Sequence, residues 1–198
     1  MSNYACVNYE HASDELRAIY DEVRDTMGDR ELPNWLTYMG EMPHMVRSTW
    51  SLLKSILVEG HLSPLLQDLI MYTVAYHRTV PYCMALHASN LIRMTESLSF
   101  QDLEDIALGD SRGFIPPRYE TATRIAATLA KSDCALSEKD FTALMNAGFD
   151  RTQALEITML VSVSLFFNTY TFAANLPVDP EIQRLVKKSQ GHRITHKS

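Results

Sequence analysis

The sequence predicts an all-α fold. No window shows sustained alternation of apolar and polar residues, the pattern of a half-buried strand. Apolar residues recur instead at helical spacing, as in Leu16, Ile19, Tyr20 and Val23, and again in Val46, Trp50, Leu53 and Leu57. Seven glycines and eight prolines in 198 residues are too few for a turn-rich all-β chain.

Each element follows from local signals. Ser13 caps a helix through Met27. Pro33 restarts the chain after a break. Pro43 opens a second helical segment that Gly60 ends. Ser63-Pro64, a cap followed by a proline at the first helical position, launches a helix through about Thr79. Pro81 disfavours helical backbone at Val80, so a kink is expected there, and Pro81 then starts a helix running to about Met94. Ser99 begins a short helix ending at Gly109, and GFIPPR (113–118) is a loop. Helices follow over 119–131 and 137–147, the second stopped by Gly148. Asp150 and Gln153 form a capping pair for a long apolar helix ending near Asn175, where Leu176-Pro177 terminates it. Asp179-Pro180 caps a last short helix, and SQGHRITHKS is expected to fray.

No linker is long enough to divide the chain, so residues 1–198 read as one domain. Hydrophobic residues make up 46% and charged residues 21%, which is globular and argues against disorder. The apolar run ITMLVSVSLFF (157–167) is too short for a bilayer, which needs about 20 residues, and reads as a helix buried on all sides. No transmembrane segment is expected. The net charge is −6, and the basic tail over 182–198 (Arg184, Lys187, Lys188, Arg193, Lys197) leaves the body more acidic still. Such a body is a poor match for nucleic acid, while the tail reads as a solvated terminus. Cys6, Cys83 and Cys134 are odd in number and widely spaced, so a reducing compartment is expected rather than a disulfide framework. The start has neither a basic nor an apolar leader region, so a Sec-type signal is not expected and the cytoplasm is the expected location.

The chemistry concentrates in VPYCMALHASN, 80–90. Cys83 stands third in its predicted helix, where free backbone N–H groups favour a thiolate. His87 lies four residues on, on the same face, suited to take the thiol proton or pass it to a leaving oxygen. Asp68, on the preceding helix, returns towards His87 if the two helices are antiparallel. Packing is the competing reading, because a lone cysteine on an apolar helix is commonly a small buried hydrophobe. A metal site would draw on His77, Cys83 and His87, with Asp68 as a further candidate, but the spacing matches no common zinc pattern, and neither metal nor cofactor is expected. An internal echo at an offset of 88 places Asp68 over Glu156, Val80 over Asn168, Cys83 over Thr171 and His87 over Asn175. Two similar helical hairpins would explain it, the second lacking the chemistry.

The segment 68–87 resembles the signature of the AhpD-like alkylhydroperoxidases within the carboxymuconolactone decarboxylase family: Glu, eleven residues, Cys-x-x-Cys, three residues, His. Here Asp68 stands at the acid, Val80 at the first cysteine, Cys83 at the second and His87 at the histidine. LSEKDFTALMNAGFDRTQALEI (136–157) and FFNTYTFAANLPVD (166–179) are similar to the peroxidase-related branch, and the resemblance covers most of 40–180. It implies an AhpD-like helical domain with a helical-hairpin core, assembled as a homo-oligomer built on trimers or paired trimers. It also implies Cys83 as the thiol attacking a small hydroperoxide, His87 as proton carrier and Asp68 as relay acid. Val80 cannot supply the resolving thiol, so a one-cysteine hydroperoxide reductase, or thiol antioxidant, would need an external thiol or Cys6 or Cys134. Two other readings stay open: a redox-inactive oligomer that serves binding or interaction, and a decarboxylase-type enzyme on a small anionic substrate.

Overall fold

A computed structural model describes residues 2, 4–28, 31–95, 97–131 and 135–191, the side chains of 187–191 excepted. Among the described residues there are ten α-helices, one 3-10 turn at Tyr9–His11 and no strand. The helices are α1 (Asp14–Met27), α2 (Asn34–Thr37), α3 (Pro43–Leu57), α4 (Pro64–His77), α5 (Pro81–Met94), α6 (Phe100–Ala107), α7 (Pro117–Leu129), α8 (Glu138–Asn146), α9 (Arg151–Ala173) and α10 (Pro180–Gly191).

The starts follow the capping chemistry. Ser13, Ser63, Ser99 and Ser137 each accept a backbone N–H three residues on, and Ser99/Asp102 and Asp150/Gln153 close reciprocal capping boxes. Pro43, Pro64, Pro81 and Pro117 open their helices at the first turn, where a missing N–H costs nothing. The stops differ more from expectation. The second segment ends at Leu57, three residues before Gly60, and the loop at 113–118 ends early because Pro117 already belongs to α7.

Helix α4 is the axis of the packing. It buries every side chain from Leu69 to Ala75, as a helix surrounded on all sides must. Around it sit three apolar clusters. One joins α1, α2 and α3 to the start of α5 and the second half of α9; one lies between α4, α7, α8 and the first half of α9; one lies between α4, α5 and α6.

Three expectations are corrected. First, α9 is not buried on all sides. Its 23 residues suffice by length and apolarity to cross a bilayer, yet one face packs into the core while Leu155, Met159, Phe166 and Phe172 are exposed. Second, the tail does not begin at Ile182 as a solvated terminus. Ile182 is buried, α10 packs on α5, and Arg93 pairs with Glu181 at 3.6 Å. Residues 189–191 of the stretch expected to fray are helical, and Arg193 and Lys197 lie outside the described residues. Third, the echo is not a repeated hairpin. Its first copy is broken between α4 and α5, whereas positions 156–173 of its second lie on one unbroken helix.

The break is built from specific bonds. Thr79 takes a left-handed conformation with φ of 53°, rare for a β-branched residue, and its N–H reaches Tyr76 O at 3.0 Å. Val80 N–H donates to Ala75 O at 3.1 Å, and Pro81 starts the new helix. The corner folds α5 back along α4, their contact being the most extensive between any two helices.

Candidate active site

The corner makes Cys83 the third residue of α5 and buries it in the first cluster, only 3% exposed. Its Sγ lies 3.3 Å from Thr171 Oγ1 on α9. Thr171 Oγ1 donates its own proton to Phe167 O at 2.8 Å, so the S–H of Cys83 is the donor in the Cys83–Thr171 bond. Burial pushes the thiol up from 9.0 to about 11, opposed only in part by the Thr171 hydroxyl, which lowers the value where it donates to the ionised sulfur. The expected thiolate at the helix start is therefore corrected: at neutral pH the group is a thiol. A helix N-terminus contributes about 0.3–1 kcal/mol to an adjacent anion, less than the cost of taking a thiolate out of water here.

His87 lies one turn further along α5 and is also buried. Its Nδ1 lies 2.7 Å from Asp68 Oδ1, and Asn90 Nδ2 donates to the same oxygen at 3.2 Å. A carboxylate oxygen accepts, so Nδ1 carries the proton and Nε2 is left for other chemistry. The aspartate, one methylene shorter than glutamate, spans the gap because α4 and α5 pack antiparallel across the corner. Among the described residues no hydrogen bond joins Cys83 to His87. They meet instead as walls of one cavity.

That cavity has a volume of about 280 Å³. Trp35, Trp50, Leu53 and Phe167 give it apolar walls, and Cys83, His87, Asp68 and Thr171 face it together. Its charged lining is Arg24 and Arg93 against Glu31, Asp68, Asp179 and Glu181, an excess of carboxylates. Ile182 and Glu181 bring the start of α10 into the wall.

Beside the cysteine, a buried clamp fixes the start of α5. Tyr82 Oη donates to Asp179 Oδ2 at 2.9 Å and accepts from Trp35 N–H at 3.1 Å, while Asn34 N–H reaches Asp179 Oδ1 at 2.7 Å. Burial raises the Asp179 carboxyl above its ordinary value, opposed by these hydrogen bonds. Burial likewise holds the Tyr82 phenol well above its ordinary value.

The other candidates lie elsewhere. Val80 is buried among the residues around Cys83 and offers it no thiol. Cys6 is exposed, bonded to Asn8 Oδ1 at 3.1 Å, and does not line the cavity. Cys134 lies outside the described residues. His77 turns Nε2 to Ala107 O at 2.9 Å and is not part of the lining. Sequence reasoning missed Thr171, Asn90 and Asp179. Only the first had a signal, for the offset of 88 that aligned Cys83 with Thr171 aligned two residues that touch.

No protein-family model matches the chain, and no curated protein matches it. Solved structures do. An alkylhydroperoxidase AhpD core, an uncharacterized peroxidase-related protein from Ralstonia eutropha JMP134, is 20% identical with a TM-score of 0.74, over 91% of this chain and 94% of its own. An uncharacterized peroxidase-related protein from Silicibacter sp. TM1040 is 17% identical with a TM-score of 0.75, over 86% and 87%. A cysteine-to-alanine variant of the debrominase Bmp8, in complex with 2,3,4-tribromopyrrole, is 17% identical with a TM-score of 0.78, over 96% and 100%. The ten-helix arrangement among the described residues is thus the AhpD-like all-α fold.

Proposed function

We propose that the chain is a one-cysteine thiol oxidoreductase acting on a small, neutral, largely apolar electrophile, an organic hydroperoxide above all. The carrying observation is that a buried thiol and an Asp68-held imidazole face one apolar cavity. Sγ attacks the terminal peroxide oxygen, the O–O bond breaks, and the alcohol leaves. The thiol proton passes by His87 Nε2 to the departing alkoxide, while Asp68 stabilises the imidazolium through Nδ1. The peroxide gains two electrons and the sulfur, losing them, becomes sulfenic acid. Two equivalents of an external thiol then return it to S–H, releasing water and a disulfide. The carboxylate excess in the lining favours neutral substrates and counts against the small anionic substrate of a decarboxylase.

A second reading rests on the debrominase with the same fold, whose cysteine variant holds a neutral bromopyrrole. The aromatic walls here suit such a ring. Sulfur would take the bromine, the ring carbon would take the proton, and two external thiols would return S–Br to S–H with loss of bromide. The working form is a homo-oligomer on this proposal, since Leu155, Met159 and Phe166 leave an apolar strip on α9 for a second copy.

Cumene hydroperoxide with a dimedone-type probe tests the first reading. Sulfenic acid is expected at Cys83, turnover should require added thiol, and Cys83→Ser should abolish both. An unlabelled Cys83 in folded protein would sink the peroxidase reading. Thiol-dependent bromide release from tribromopyrrole would then favour the second, and neither activity would leave a redox-inactive binding protein.

A further inference from the structure

We propose that Thr171 switches Cys83 between a protected thiol and an attacking thiolate by turning one hydroxyl proton from Phe167 O to Sγ. The inference rests on Cys83 being the reacting sulfur. Thr171 is 1% exposed, touches Sγ at 3.3 Å, lines the same cavity, and back-bonds to Phe167 O at 2.8 Å. At rest its proton is committed to Phe167, so its oxygen accepts from S–H and holds the sulfur neutral.

When the thiol proton leaves for His87, that acceptor has nothing to accept. A rotation about the Thr171 Cβ–Oγ1 bond then turns the hydroxyl into a donor to the thiolate. The rotation costs little, because Phe167 O has two lone pairs and keeps the helical N–H of Thr171. A hydrogen bond to a charged acceptor is worth more than one to a neutral acceptor, so the switch favours the thiolate only once the proton has gone. Thr171 gains and loses no proton; the atoms balance between Cys83, His87 and substrate.

The surroundings mark this face of α9 as more than packing. Ser164, Asn168 and Thr171 form a buried polar stripe on a helix otherwise apolar in its buried half, and Asn168 Oδ1 has no hydrogen-bond partner among the described residues. Buried polar groups are costly when unpaired.

The experiment is peptide-resolved iodoacetamide alkylation of the full chain across the pH range, with Cys6 as internal reference. Thr171→Val, nearly isosteric, is expected to slow Cys83 alkylation about tenfold or more at neutral pH and to move its titration upward. Thr171→Ser should restore most of the rate, and Cys6 should not change. A valine variant that alkylates at the parent rate or faster overturns the proposal. A second measurement needs no change at Thr171. The infrared S–H band of Cys83, isolated as the difference from Cys83→Ser, should lie at a hydrogen-bonded frequency, and a free S–H frequency overturns the switch even if the valine variant does not fold. None of these readouts uses a peroxide, so they can fail while hydroperoxide turnover stands, and the reverse.

Discussion

The α4–α5 corner and helix α9 share a sequence echo but take different backbones. At an offset of 88 three of twenty paired residues are identical, and both regions contribute to the first apolar cluster. At residue 80 the first is broken by Pro81 and a left-handed Thr79; at the matching Asn168 the second runs straight on. The break creates a helix start in the core and folds His87 back over Asp68. The unbroken copy makes no such corner, and supplies instead the hydroxyl that meets the thiol. The interrupted chain carries Cys83 and His87, and the continuous one carries Thr171.

Breaking the tie between the two regions should have the largest effect. Asp179 follows α9 and holds Tyr82 at the start of α5. Asp179→Ala leaves Tyr82 Oη and Asn34 N–H without their acceptor and is expected to cost about 3 kcal/mol in urea unfolding. A loss under half that would mean the corner holds its own position without α9.

The pH dependence of Cys83 ranks next. With the thiol pushed up to about 11, its alkylation should rise about tenfold per pH unit from neutrality upward, with no plateau near 9. The folded chain holds this proton more tightly than the unfolded chain does. Its contribution to stability is therefore complete below the ordinary value of 9.0 and lost as pH rises towards about 11. Cys83→Ser should lack that part of the alkaline loss. A plateau near neutrality would mean the helix start outweighs burial after all.

Asn168 sharpens the comparison from the other side. Asn168→Leu removes a buried oxygen that has no partner among the described residues and should raise stability by about 1–2 kcal/mol, read as a higher denaturation midpoint. Destabilisation would show that the amide has a partner it needs. The smallest effect belongs to the corner itself. Thr79→Gly relieves a left-handed threonine at the cost of a floppier unfolded chain, for a net gain of up to about 1 kcal/mol in thermal unfolding.

The helices were legible in the sequence because their starts are written in short-range chemistry: serine or aspartate caps, and prolines at first positions. Their ends were less so, as at Leu57, because a helix stops where its packing stops and not where the next glycine falls. Asp68 and His87 were legible as a pair because a turn of helix and an antiparallel return are local rules. The state of Cys83 was not. Residue order shows a helix start, but the burial that overrides it comes from an apolar cluster shared with α2 and α9, far away along the chain. For the same reason α9 looked buried all round: its composition is uniform, and only the placement of the other helices decides which face they cover.

The depth of the Cys83 thiol affects how such a protein would be noticed. Surveys that find functional cysteines by flooding a proteome with electrophiles rank them by intrinsic speed. Of the two described cysteines, the exposed Cys6 would be tagged first, and Cys83 would be scored as inert. On the proposed function, a thiol kept protonated behind aromatic walls should answer a molecule that fits the cavity before a reagent chosen for being indiscriminate.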